Sequence, residues 1–184
     1  ISDSDICYSE ESVTYACPSK GIYLGKGTTL YDSISKKGGG AISSNLCAIQ
    51  IANTSIINAT SLTGNGGAIL VSTGSTLSID DTTTLKDNKA TEGSGGAVSC
   101  EECDTMTFNG RTNFVNNVAN IGGGAVHSVS PINLVISTGS KFTSNTAEQS
   151  NGGAIDAHYT NWTSINNQFN SNMATAGSGG AFSL

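Results

Sequence analysis

A Gly-Gly-Ala triplet followed by an apolar residue is written six times in this chain: Gly39-Gly40-Ala41, Gly66-Gly67-Ala68, Gly95-Gly96-Ala97, Gly123-Gly124-Ala125, Gly152-Gly153-Ala154 and Gly179-Gly180-Ala181. Successive copies lie 27–29 residues apart. A fixed period of that size marks a stacked repeat, in which each unit buries its apolar side only against its neighbours.

Placing the copies in register exposes the rest of the unit. Three residues after each first glycine stand Ile42, Ile69, Val98, Val126, Ile155 and Phe182, and two further on Ser44, Val71, Cys100, Ser128, Ala157 and Leu184. Eleven and thirteen residues after it stand Leu77 and Ile79, Met106 and Phe108, Leu134 and Ile136, then Thr163 and Ile165; in the first copy Ile49 and Ile51 come one residue early. Alternation of this kind predicts half-buried strands. A third element carries Ile57, Leu85, Phe114, Phe142 and Phe169, each followed three residues later by Thr60, Asn88, Asn117, Asn145 or Asn172. The unit is therefore two or three short strands separated by turns rich in Gly, Asn, Asp, Ser and Thr, with no helical periodicity.

Such a unit predicts an all-β fold, a right-handed parallel β-helix with coils of about 27–29 residues. Each coil rises by one inter-strand spacing, about 4.8 Å, so residues at equal offsets stack into columns. One column is Phe, Leu and Ile; another is Asn, whose amides can bond one another as they do in cross-β ladders. Gly-Gly supplies the positive φ or the close backbone approach that a corner needs. Residues 39–184 form the repeats, with the last coil incomplete at Leu184, and residues 1–38 form an N-terminal cap or assembly segment containing Cys7 and Cys17.

The combination of Gly-Gly-Ala-[Ile/Val] with Phe114-Val-Asn-Asn117, Phe142-Thr-Ser-Asn145 and Phe169-Asn-Ser-Asn172 resembles the passenger repeats of the chlamydial polymorphic membrane proteins. The resemblance covers about residues 39–184. It implies a β-helical, autotransporter-like surface protein with an adhesin-like role, whose partner is a receptor on a host or neighbouring cell.

Composition narrows the function classes. The net charge is −6 with only eight Lys and Arg, which argues against nucleic acid, because binding phosphates requires clustered cations. No apolar run approaches the roughly 18–20 residues of a membrane-spanning helix. Five cysteines lean toward an oxidising, extracellular or cell-surface location. Cys7 and Cys17 could close a short loop. Cys100-Glu-Glu-Cys103 has the spacing of half a zinc site, a redox pair or a local disulfide, and no second half-site with metal spacing accompanies it.

His127 and Asp156 share an offset in adjacent coils, and His158 lies two residues beyond Asp156. The bland reading, a solvated polar pair on an outer face, is preferred to an acid/base or metal cluster. No residue is assigned a catalytic, cofactor-binding or metal role. An enzyme acting on acidic polysaccharide would need opposed acids, whereas Glu10-Glu11, Asp80-Asp81 and Glu101-Glu102 fall at unrelated offsets and Arg111 is the only arginine. Asn53, Asn58 and Asn161 begin Asn-x-Ser/Thr triplets, which are glycan acceptors in a secreting eukaryote. Tyr159 and Trp162 form an aromatic pair that either makes contacts or folds over the coil. The expectation is an extracellular adhesin-like binding and structural protein. The alternative is a filament subunit that assembles head-to-tail with further copies of itself through the coil ends.

Overall fold

A computed structural model describes residues 21–130 and 133–184. Every regular element in them is a strand, so no helix there is long and apolar enough to cross a membrane. One turn of the chain reads Ile69–Val71, Thr76–Asp80, Thr84–Lys86 and Lys89–Ala90; the next reads Val98–Glu101, Thr105–Phe108, Asn113–Val115 and Val118–Ala119. Equivalent strands pair in parallel from turn to turn, giving four six-stranded sheets in a parallel β-helix of about six turns. We number the sheets by the second of these turns: sheet 1 contains Thr105–Phe108, sheet 2 Asn113–Val115, sheet 3 Val118–Ala119 and sheet 4 Val98–Glu101.

The core is built from columns at constant register. Sheet 4 stacks Ile42, Ile69, Val98, Val126, Ile155 and Phe182, and sheet 1 stacks Ile49, Leu77, Met106 and Leu134. In sheet 2, Phe114, Phe142 and Phe169 lie ring on ring, with centroids 4.6 and 4.8 Å apart and interplanar angles of 7°. These separations are the strand spacing itself, so the backbone register sets the near-parallel stack at a separation aromatic pairs favour. Phe108 adds an edge contact to Phe114 at 5.1 Å.

Beside the rings runs an amide ladder. Asn88 donates from Nδ2 to Asn117 Oδ1, Asn117 to Asn145 and Asn145 to Asn172, each at 2.9 Å. Every Oδ1 also accepts a main-chain N–H of the preceding coil, from Ala59, Asn88, Asn117 and Asn145 in turn. The second amide hydrogen goes to a carbonyl three residues before the preceding ladder position, as in Asn117 to Leu85 O at 3.0 Å. Asn117 thus uses both donors and accepts two bonds while fully buried, which is what a buried amide requires. The residue before each ladder position has φ of 52–56° from Asp32 through Asn58, Asp87, Asn116 and Ser144 to Ser171, and this single left-handed residue turns the chain from sheet 2 into sheet 3.

The two glycines of each triplet do different jobs. At five of the six copies the first has φ between 63 and 72°. The second is needed for space: a Cβ on Gly96 would lie 2.1 Å from Gly124 O of the next coil.

Several expectations shift by one residue. Leu85 pairs with Ile56, not Ile57, and the ladder position of that coil is Ala59, not Thr60. In the fifth coil Trp162 and Ser164 occupy the inward register of Leu134 and Ile136, so Thr163 faces outward and Ile165 lies in the following corner. Each turn has four strands rather than two or three, because the two-residue strands of sheet 3 follow the ladder. The solenoid also starts earlier than Gly39: Ile22–Leu24, Thr29–Tyr31 and Ile34–Ser35 pair with the next coil in register. Cys7, Cys17 and any bond between them lie outside the described residues.

Asn117→Ala removes the acceptor of the Asn88 main-chain and side-chain N–H groups and takes one donor each from Leu85 O and Asn145 Oδ1. It is expected to cost about 3 kcal/mol or more, at 1–3 kcal/mol per buried group left unpaired, read as a lowered urea midpoint.

Candidate functional site

Chemistry-bearing side chains gather at the corner where sheet 4 turns into sheet 1 and on the adjoining outer face of sheet 4. Each coil passes this corner through a left-handed residue: Leu46, Gly74, Glu102, Ser130 and Tyr159 in order. The other two columns of left-handed side chains are small, Asp32, Asn58, Asp87, Asn116, Ser144 and Ser171 at one corner and Asn53, Asp81 and Asn166 at another, where Gly110 and Gly139 also take positive φ. Leu46, Glu102 and Tyr159 depart from that pattern. Leu46 is 64% exposed and Tyr159 86%, and Glu102 is also exposed.

A disulfide joins Cys100 to Cys103, both buried, with Cα atoms 5.6 Å apart. It resolves the Cys-x-x-Cys spacing as a local cross-link and brackets Glu101 and Glu102 on the corner. Thr73 Oγ1 donates to Glu102 Oε2 at 3.1 Å, and Asn65 Nδ2 donates to Glu101 Oε1. Between them opens a shallow cleft of about 450 Å³ lined by Asn65, Ser72, Thr73, Glu101, Glu102, His127, Val129 and Ser130. Its carboxylates, amide and hydroxyls suit a cationic or hydroxyl-bearing group on a partner.

His127 and Asp156 are register partners on the outer face of sheet 4, as the equal offsets predict. Asp156 is not solvated, however. It is 4% exposed, with Gly122 packed so closely that a Cβ there would sit 2.3 Å from Oδ2. That oxygen meets His158 Nε2 at 3.2 Å, while Oδ1 has no partner. His127 Nδ1 lies 3.4 Å from Ser99 Oγ, and the two imidazoles are 6.4 Å apart. Burial lowers the His127 pKa below its ordinary value, overriding the attraction of Asp156 and Glu101, and His158 pushes the same way as burial. Ser99 is fully buried and paired to one histidine, whereas Asp156 is paired to the other, so the three do not relay through a single imidazole. Among the described residues no three His, Cys, Asp or Glu side chains are grouped to hold a metal ion.

The remaining candidates are dispersed. Asp80 and Asp81 sit in outer ladders at the corner from sheet 1 to sheet 2: Asp80 accepts from Asn109 at 2.8 Å and from Gln50, and Asp81 from Asn53. Asn53 and Asn58 hold left-handed corner positions with amides tied to carboxylates; Asn161 begins an outer strand and is exposed. Trp162 lies in a strand, not a loop, and is half-buried against the core, its ring 5.2 Å from Phe182. The corner column itself escaped sequence reasoning. Its signal was present: seven residues after the first glycine, or eight in the second coil, a bulky side chain stands where Gly74 stands.

No protein-family model matches this chain, and neither a curated protein nor a solved structure does.

With its pKa lowered in the fold, His127 binds fewer protons than in the unfolded chain, so stability falls as pH drops below about 6.5. Thermal midpoints at pH 7.5 and 5.5 are expected to differ more for the parent than for His127→Gln.

Proposed function

We propose that this chain is an extracellular, cell-surface β-helix with an adhesin-like role that binds a surface receptor through the corner carrying Leu46, Glu102 and Tyr159. One observation carries the reading: three bulky side chains hold left-handed backbone positions while remaining exposed. Left-handed backbone costs a residue with a Cβ about 1–2 kcal/mol, and glycine avoids it, as Gly74 does in the same column. The exposed side chains return little of that cost through packing. Strain retained without a folding benefit points to a use of the side chain itself. Of the three, Tyr159 is the type most enriched at macromolecular contacts.

Two further features agree. The Cys100–Cys103 disulfide fits an oxidising compartment. The acidic cleft beside the corner offers charge complementarity to a cationic partner group. The role is binding rather than catalysis: the site presents side chains outward from a rigid scaffold.

Beads coated with the parent protein are expected to adhere to some members of a panel of cultured cells. The triple variant Leu46→Gly, Glu102→Gly, Tyr159→Gly should lose adhesion by tenfold or more, about 1.4 kcal/mol. Its stability should stay within about 1 kcal/mol per site of the parent, since relief of strain offsets the entropy of added glycine. Undiminished adhesion of a folded triple variant overturns the assignment.

A further inference from the structure

We propose that Asn161 is an N-glycan acceptor, and that the fold singles it out from the other two Asn-x-Ser/Thr triplets. The inference rests on the extracellular reading for its compartment alone. Asn161–Ser164 is an outer strand of sheet 1, so residues 161 and 163 project to one side and residue 162 to the other. Asn161 and Thr163 are both exposed, and neither side chain makes a hydrogen bond among the described residues. Trp162, between them, is half-buried and packs against the core beside Phe182. The acceptor amide and the hydroxyl of its triplet are thus presented together on an anchored strand, with open solvent beyond.

The other triplets are built differently. Asn53 sits at φ 50°, donates to Asp81 and accepts from Thr82 Oγ1 at 2.9 Å; the middle residue of its triplet, Thr54, is buried. Asn58 sits at φ 56° and donates to the Asp32 carboxylate, and its middle residue, Ala59, is buried beside the amide ladder. A glycan on either nitrogen has to displace or crowd a corner bond that links adjacent coils. At Asn161 it displaces nothing.

The modification is a transfer from a lipid diphosphate-linked oligosaccharide. The Asn161 side-chain nitrogen bonds to the anomeric carbon, the bond from that carbon to the diphosphate oxygen breaks, the amide releases one proton, and the lipid diphosphate leaves. The product holds a bulky, hydrated group on the outer face of sheet 1, two residues from Tyr159, at one border of the proposed contact corner.

The test is secretion of the full chain from a eukaryotic host whose own secreted proteins carry N-glycans. Occupancy is then mapped by peptide mass spectrometry after enzymatic deglycosylation in heavy-oxygen water. Near-complete occupancy at Asn161, with Asn53 and Asn58 largely bare, is the expected result. Asn161→Gln and Thr163→Ala should each remove that glycan from a protein of unchanged thermal midpoint, while Thr163→Ser should retain it in part. A bare Asn161 in the secreted parent, or occupancy equal at all three sites, overturns the proposal. Because occupancy is read without any receptor, its failure is distinct from failure of the adhesion reading.

Discussion

Everything in this molecule depends on parallel pairing of each coil with the next at one strand spacing. That distance fixes the Phe114–Phe142 and Phe142–Phe169 stacks at 4.6 and 4.8 Å, lets the Asn amides meet at 2.9 Å, and brings each second glycine against the carbonyl of the following one. The columns in turn lock the register. A slip of one residue turns every inward side chain outward, and here it would also strand the three buried amides of Asn88, Asn117 and Asn145, whose partners exist at one alignment only. Hydrophobic burial therefore supplies the bulk of the stabilisation, while the ladder makes the alignment unique.

The interior is not uniformly satisfied. The ladder completes its bonds, whereas Ser44 Oγ, Ser61 Oγ and Thr112 Oγ1 are buried without partners. Neighbouring coils place Ala90 and Ala119 in the column of Ser61, so size rather than hydrogen bonding selects the residue there. Asp156 differs, because its carboxylate meets His158 Nε2 through one oxygen and leaves the other without a partner. The loop at Gly122 packs directly on that carboxylate, so the outer face of sheet 4 is chemically defined in part by the connection laid over it.

The same division explains how much could be read from the sequence. Columns flanked by invariant spacing were legible: the Gly-Gly-Ala corner, the sheet 4 column, and the Phe and Asn columns from Leu85 onward. The misassigned residues follow corners of variable length. Between sheets 4 and 1 the first and fifth coils are one residue shorter than the rest, as the register of Ile49 with Leu77 and of Trp162 with Leu134 shows. The shift was visible in the first coil, where Ile49 and Ile51 are apolar. In the fifth it was hidden, because inward Ser164 is polar and outward Ile165 is not. Ile56 and Ile57 are both apolar, so alternation could not choose between them; Asn58 in the left-handed position and Ala59 at the ladder decide it. The strands of sheet 3 are two residues long, too short for any period to register. Burial of Asp156 was illegible for another reason, since it depends on a loop packing over a strand.

This architecture also constrains the size of a partner. Coils touch only their neighbours, so a corner residue can change without disturbing more than the adjacent turns, and a contact surface is assembled by choosing one side chain per coil. Leu46 and Tyr159 lie four coils apart in the same corner column, a separation of about 19 Å at one strand spacing per coil. Glu102 falls midway. A small ligand lodged in the cleft beside Glu102 would touch neither end of that column. Only an extended partner, a protein surface or a polymer lying along the solenoid axis, engages all three. Under the proposed adhesin-like role, a macromolecular receptor would engage the strained positions together, with the cleft accepting a single projecting group from it.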